Sequence, residues 1–236
     1  MSPPPDMTSS PGATTEPPDP ASQPRKRYAS QVRDEQARRT RRAIVTAAHD
    51  LFLARGYAAT TIDGVAEAAH VSRSTVFNSV GGKVALLKLA LDWAIVGDDE
   101  PVALGDRPAI KAILAESDPR AALMLWVQTS TEIAARATPL VEVLTAAADI
   151  DAAAAKLLAE THGNRMTGAT LFIRFLASLD GLATGMTEQR AAELCWALTG
   201  GQLYRMLVTQ SGWSTSDFTR WLSGSLAAAL LPVSPR

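Results

Sequence analysis

The sequence contains a single cysteine, Cys195, which excludes an intrachain disulfide. A reducing compartment suits such a chain, and a cytoplasmic protein is expected. Cys195 sits in an apolar stretch beside Trp196, a setting for an inert buried thiol rather than a nucleophile. Histidine is almost as scarce. His49, His70 and His162 fall in separate segments, and no two of them form the i, i+4 pair of a helical metal site. No glycine-rich loop is placed to cradle phosphates, because Gly81-Gly82 ends a helical pattern. No serine-centred elbow occurs either. The expectation is therefore a protein with no catalytic residues, no metal and no cofactor. No apolar run reaches the roughly 18 residues of a membrane span, and the first residues lack the apolar core of a signal peptide. No membrane partner is expected. Sustained period-2 alternation is missing too, which leaves an all-α chain.

Proline is concentrated where folding is least expected. Eight of the 14 prolines precede residue 25, mixed with Ser, Thr and Gly. Such a segment buries too little apolar surface to offset its ordering entropy, so residues 1–30 read as a disordered tail. Arg25-Lys26-Arg27 at its end reads as a flexible arm for phosphates or the minor groove. The overall net charge of −1 hides an asymmetry. Residues 25–90 hold 12 Lys and Arg against 5 Asp and Glu, whereas residues 91–236 hold 11 against 16. A basic segment within a near-neutral chain is the electrostatic footprint of a phosphate-binding face.

Within that segment the spacing predicts three helices and a connector. The first spans about Gln31 to Arg55, with Ile44, Ala47, Ala48, Leu51 and Phe52 on one stripe and Gly56 as its stop. In the second, Ile62, Val65, Ala66 and Ala69 form a buried stripe, capped by Thr60 or Thr61, with Asp63 in the positive first turn. Ser72 caps the third, and Val71 and Val76 take the hydrophobic-staple positions. Val76 and Val80 face inward. Arg73, Ser74, Thr75, Phe77 and Asn78 are left on a face the core does not need. A fourth helix follows Lys83, with Leu86, Leu87, Ala90, Leu91 and Ala94 at helical spacing. Two short helices joined by a tight turn, the second facing outward, are the layout of a helix-turn-helix that enters a DNA major groove. An ordinary helical hairpin shares the same periodicity.

The run RRAIVTAAHDLFLARGYAATTIDGVAEAAHVSRSTVFNSVGGKVALL resembles the N-terminal domain of the tetracycline-repressor (TetR) family of transcriptional regulators. The likeness covers about Arg41 to Leu91. It rests on F-x-x-x-G-[YF] closing the first helix, T-T-[IV] opening the second, V-S at the turn, T-[LV]-[YF] in the third helix, and Lys83 two residues past Gly81. Three positions depart from the usual pattern. His70 stands where glycine closes the turn, Phe77 replaces tyrosine and so lacks a phosphate-donating hydroxyl, and Val80 replaces a frequent phenylalanine. The resemblance implies a double-stranded DNA operator as partner. Arg73, Ser74, Thr75 and Asn78 would face base edges or neighbouring phosphates, Phe77 sugar or a thymine methyl, and Thr61 and Lys83 phosphates, with Arg41 and Arg42 adding backbone charge.

The expected organisation is thus a tail over 1–30, a helix-turn-helix domain with connecting helix over 31–96, and a helical domain over 97–232. In the last, helices are expected from Asp118-Pro119 to near Thr138-Pro139, then a short one through Leu144. Further helices are expected over Asp151 to Leu179, from Thr187 to about Thr209, and from Ser214 with Phe218, Trp221, Leu222, Leu226, Ala229 and Leu230 on one stripe. The resemblance implies that this domain binds a small-molecule effector and forms a homodimer. The 151–179 and 215–231 helices are the expected interface, with 187–209 as the competitor. Candidate effector contacts are Trp93, Met124, Trp126, Gln128, Phe172, Phe175 and Tyr204, each of which also reads as plain core. The function read from the chain is a ligand-responsive, sequence-specific DNA-binding regulator, a repressor released from a palindromic operator. The alternatives are a DNA-binding protein with no small-molecule effector, or a helical carrier or enzyme that has lost DNA binding.

Overall fold

The computed structural model describes residues 22–232, with side chains from Val32 onward. Of the tail expected over residues 1–30, residues 1–21 lie outside the described residues. Every regular element described is helical: α1 (Ser22–Ala59), α2 (Ile62–Ala68), α3 (Arg73–Ser79), α4 (Lys83–Val96), α5 (Pro108–Leu114), α6 (Pro119–Ala148), α7 (Ala152–Ser178), α8 (Glu188–Leu198), α9 (Gly201–Tyr204) and α10 (Thr215–Leu230). A 3₁₀ turn, Leu104–Asp106, precedes α5, and a π turn, Arg205–Gln210, continues α9.

α1 departs from expectation at its start and agrees with it at its end. Its helical backbone begins at Ser22 rather than near Gln31, so residues 22–30 are not the irregular chain expected of them. At Gly56 the helix breaks, with φ at 73° and ψ at 178°, a conformation that glycine adopts without a Cβ penalty. Up to Arg39 the described side chains are exposed, and Arg39 pairs with Glu35 one turn earlier at 2.7 Å.

From Thr40 onward the chain builds two apolar clusters. The first joins Ile44, Ala48 and Phe52 of α1 to Val65, Val76, Leu86, Leu87 and Leu91, and continues into Leu140 and Leu144 of α6 and Leu157 of α7. The headpiece therefore shares its core with the helices that follow, and packing crosses residue 97. The second cluster gathers Ile113, Leu123, Val127, Phe172, Ile173, Leu176, Cys195, Phe218, Leu222 and Leu226 from α5 to α8 and α10. Burying a side chain the size of Phe52 or Phe218 contributes roughly 1.5–3 kcal/mol.

Local capping follows the sequence closely. Asp118 accepts from the Arg120 and Ala121 amides, Asp151 from Ala153 and Ala154, Thr187 from Arg190, and Ser214 from Asp217. Three expectations fail. α6 does not end at Thr138-Pro139 but runs through Pro139 to Ala148. An interior proline costs about 3 kcal/mol, yet Ala137, Thr138, Leu140 and Leu144 are all buried around an exposed Pro139. Packing on both sides holds the helix together where propensity would stop it. The 187–209 helix is instead broken at Thr199-Gly200. A Cβ on Gly201 would lie 2.3 Å from the Thr138 hydroxyl, so the chain crosses α6 at glycine contact distance there. Trp221, expected inside, is 38% exposed and packs edge-on against Trp213.

Candidate nucleic-acid interface

α2 and α3 meet at a turn whose geometry is set by short-range hydrogen bonds. Thr61, not Thr60, is the cap of α2: its backbone is extended and its Oγ1 accepts from the Gly64 amide at 3.0 Å. Thr60 is buried and donates to the Leu51 and Gly56 carbonyls, sealing the end of α1. His70 adopts φ 55°, the left-handed conformation for which glycine is the usual residue. This lets the Val71 amide reach the Ala66 carbonyl at 2.9 Å, the 6→1 closure of a Schellman motif. A side chain with φ above zero costs free energy, and histidine is among the residues that tolerate it.

Ser72 caps α3, accepting from the Thr75 amide at 3.1 Å, while its hydroxyl lies 2.7 Å from Thr75 Oγ1 and 2.8 Å from Ser74 Oγ. Val76 is fully buried and anchors the helix from beneath. On the opposite side Arg73, Ser74, Phe77 and Asn78 are exposed and Thr75 is half-buried. Phe77 is 44% exposed, with the Arg73 guanidinium 5.6 Å from its ring centre. The same guanidinium bonds Asp63 of α2 at 2.8 Å. Both partners are well exposed, so this ion pair is worth at most about 1 kcal/mol and yields readily to a phosphate or a base.

Four further contacts are expected, at Thr61, Arg41, Arg42 and Lys83. Thr61 and Arg41 are exposed. Lys83 turns back against the end of α1, with Nζ 3.3 Å from the Ala58 carbonyl and 4.1 Å from the Tyr57 ring centre. Burial lowers its pKa, partly opposed by the nearby Asp151 carboxylate. Arg42 forms a two-fold bond to Asp99, at 2.6 and 3.0 Å, in the loop after α4. The structure thus gathers Thr61, Arg73, Ser74, Thr75, Phe77 and Asn78 on the α2–α3 unit and directs Lys83 and Arg42 toward other parts of the protein.

Those two residues belong to a set of polar ties that sequence reading missed. Tyr57 donates its hydroxyl to Asp151 at 2.5 Å, joining the end of α1 to the cap of α7. Burial first, and the bond to Asp151 second, hold the Tyr57 hydroxyl above its usual pKa. The same bond is the main reason that the Asp151 carboxyl lies below the usual carboxylate range, helped by the α7 amides and Lys83. Arg136 of α6 donates to the Ala94 and Ile95 carbonyls at 2.9 and 3.2 Å, capping the end of α4. None of these pairs is close in sequence, so no local pattern marks them.

The candidate effector contacts do not form one group. Trp126 stacks on Phe172 with ring centres 4.4 Å apart, and Phe175 lies half-buried against the same cluster. Tyr204 packs edge-on against Phe218. Met124 and Gln128 are exposed, the latter donating to Glu132. Trp93 stands apart, in a cleft beside α1 and α6. Cys195 is fully buried, and burial pushes its thiol up to about 12, so it is protonated and unreactive at neutral pH.

Residues 44–90, which carry this headpiece, match the signature of bacterial regulatory proteins of the tetR family. The headpiece is similar to the tetR-family domain. No curated protein matches the sequence. Among solved structures, NalD, the secondary repressor of the MexAB-OprM multidrug efflux pump in Pseudomonas aeruginosa, is similar in fold. The two are 21% identical over 84% of this chain and 98% of that one, with a TM-score of 0.61. The fatty acid degradation regulator FadR from Bacillus halodurans is 12% identical over 79% and 94%, with a TM-score of 0.60. A proposed transcriptional regulator from Saccharomonospora viridis, in complex with choline, is 17% identical over 81% and 97%, with a TM-score of 0.61. At these identities the likeness is one of fold. Among the described residues no helix is long and apolar enough to cross a membrane.

Proposed function

We propose that this protein is a TetR-family regulator, a cytoplasmic homodimeric repressor that binds a palindromic operator and releases it when a small molecule occupies the helical domain. One observation carries the reading: α3 is held by buried Val76 and by its Ser72 cap, so that Ser74, Phe77 and Asn78 stand outward on a rigid seven-residue helix. Arg73 and Asn78 are the residues suited to base edges, through guanine and adenine contacts respectively. Ser74 and Thr75 suit phosphates or bases, Thr61 a phosphate, and Phe77 a sugar or thymine methyl.

A single short helix reads too few base pairs to select one genomic site, and a two-fold pair of headpieces supplies two half-sites. For the dimer, α7 with α10 is the favoured pair of helices, with α8 as the competitor. Leu171 of α7 and Trp221 of α10 leave large apolar side chains exposed, as does Leu194 of α8. Ligand response is supported by the polar ties between headpiece and helical domain at Tyr57, Arg42 and Arg136. Through them a rearrangement of α6 or α7 reaches α1 and α4. An effector need only favour the non-binding arrangement by a few kcal/mol. The choline complex of the Saccharomonospora relative and the repressor role of NalD accord with this type of switch.

Random-site selection with the purified protein is the direct test. A palindromic consensus with half-sites about one helical turn apart is expected. Recovery of no consensus would remove the operator reading.

A further inference from the structure

A cleft beside Trp93 is lined by residues of α1, α4 and α6. It has a volume of about 440 Å³, within the range that accommodates a drug-sized ligand. One wall is a single face of α1, where Arg42, Val45, Thr46 and His49 follow one another at helical spacing. The floor is the end of α4, with Ala90, Trp93 and Ala94, and Arg136 of α6 closes the far side.

The charges around it are not balanced. Asp98 and Asp99 both line the cleft, but each carboxylate is held by a guanidinium, Asp98 by Arg107 at 2.6 Å and Asp99 by Arg42 at 2.6 Å. Arg136 bonds only main-chain carbonyls, those of Ala94 and Ile95, and among the described residues no carboxylate is paired with it. One cation with no carboxylate partner among the described residues thus shares the cleft with an indole and small aliphatic side chains. The Thr46 hydroxyl at the exposed rim adds a neutral donor.

We propose that this cleft binds an aromatic or amphiphilic small molecule bearing a carboxylate or sulfonate, with its apolar body on Trp93 and its anionic group at Arg136. Occupancy places a ligand directly between α1, α4 and α6. The inference names the effector class and its position, and so rests on the regulator reading for its biological meaning; binding itself is independent of DNA.

The test compares two probes of like shape on the full-length protein. These are 1-anilinonaphthalene-8-sulfonate, which is anionic, and N-phenyl-1-naphthylamine, which is neutral, both followed by fluorescence. The sulfonate is expected to bind saturably at one site per chain. Arg136→Gln should weaken it about tenfold, equivalent to about 1.4 kcal/mol, and change the neutral probe less than twofold. Arg136→Lys, which keeps the charge, should retain most of the sulfonate affinity. Thr46→Trp, which fills the cleft from an exposed position, should abolish binding of both. Absence of saturable sulfonate binding, or binding unaffected by Arg136→Gln and Thr46→Trp, overturns the site. Equal losses of both probes in Arg136→Gln overturn the anionic assignment. Operator release by the sulfonate is scored separately: binding that follows the predicted variant pattern without release sustains the site and counts against the switch.

Discussion

Replacing Tyr57 by phenylalanine removes one atom from the joint and tests whether that atom holds the headpiece to α7. The ring is expected to stay in place, stacked on Phe52 with centres 6.1 Å apart and beneath the Lys83 ammonium. Only the bond to Asp151 is lost, while Asp151 keeps its Ala153 and Ala154 amides. A net hydrogen bond of this kind contributes about 0.5–1.5 kcal/mol, and Tyr57 is 7% exposed, so a loss near 1 kcal/mol is expected. For a chain of this size that lowers Tm by roughly 2–4 °C. Urea unfolding followed by helical circular dichroism measures it. The pH dependence is a second signature. The Asp151 carboxyl is held low, so its contribution is in force above about pH 4 and fades as pH falls through the depressed value. The Tyr57 hydroxyl is held high, so its contribution is complete below about pH 10 and is lost as pH rises further. The gap between wild type and Tyr57→Phe should therefore be flat between these limits and narrow at both. A variant as stable as wild type at pH 7, or a gap that widens in acid, would refute the tie.

Other substitutions probe the less regular features. His70→Gly should stabilise the protein by up to about 1 kcal/mol, because glycine relieves the φ of 55°, although its greater freedom when unfolded offsets part of the gain; a thermal melt showing destabilisation would mean the imidazole has a role of its own. Pro139→Ala restores an amide to α6 and should raise Tm, by up to about 3 kcal/mol of stability. No rise would show that the helix has already relaxed around the ring. Gly201→Ala drives a methyl onto Thr138 and should cost about 1–3 kcal/mol, most of it recovered in the double variant with Thr138→Ala; additive losses in chemical denaturation would deny the contact.

What could be read beforehand, and what could not, divides by the range of the interactions. The caps at Thr61, Ser72, Asp118, Asp151, Thr187 and Ser214 join a side chain to an amide two or three residues on, so the sequence alone displays them. The outward face of α3 was legible for the same reason, since burial of Val76 follows from spacing. Continuation through Pro139 was not, because packing by distant helices overrides the local stop. The break at Thr199-Gly200 was hidden likewise: Gly201, which follows it, lies against Thr138 on another helix. Lys83 fitted a phosphate-holding position by motif, yet the structure sets it against Tyr57, whose ring and nearby Ala58 carbonyl offer a closer partner. The Tyr57–Asp151 bond spans 94 residues, beyond any local pattern.

The central claim is that the exposed face of α3 reads base sequence. Random-site selection run in parallel on wild type and Asn78→Ala tests it most directly. A palindromic wild-type consensus is expected, with Asn78→Ala losing preference at one position repeated symmetrically in both half-sites, at a cost of about 1–3 kcal/mol for the original base pair. A consensus identical in both proteins, with affinity unchanged, would contradict it.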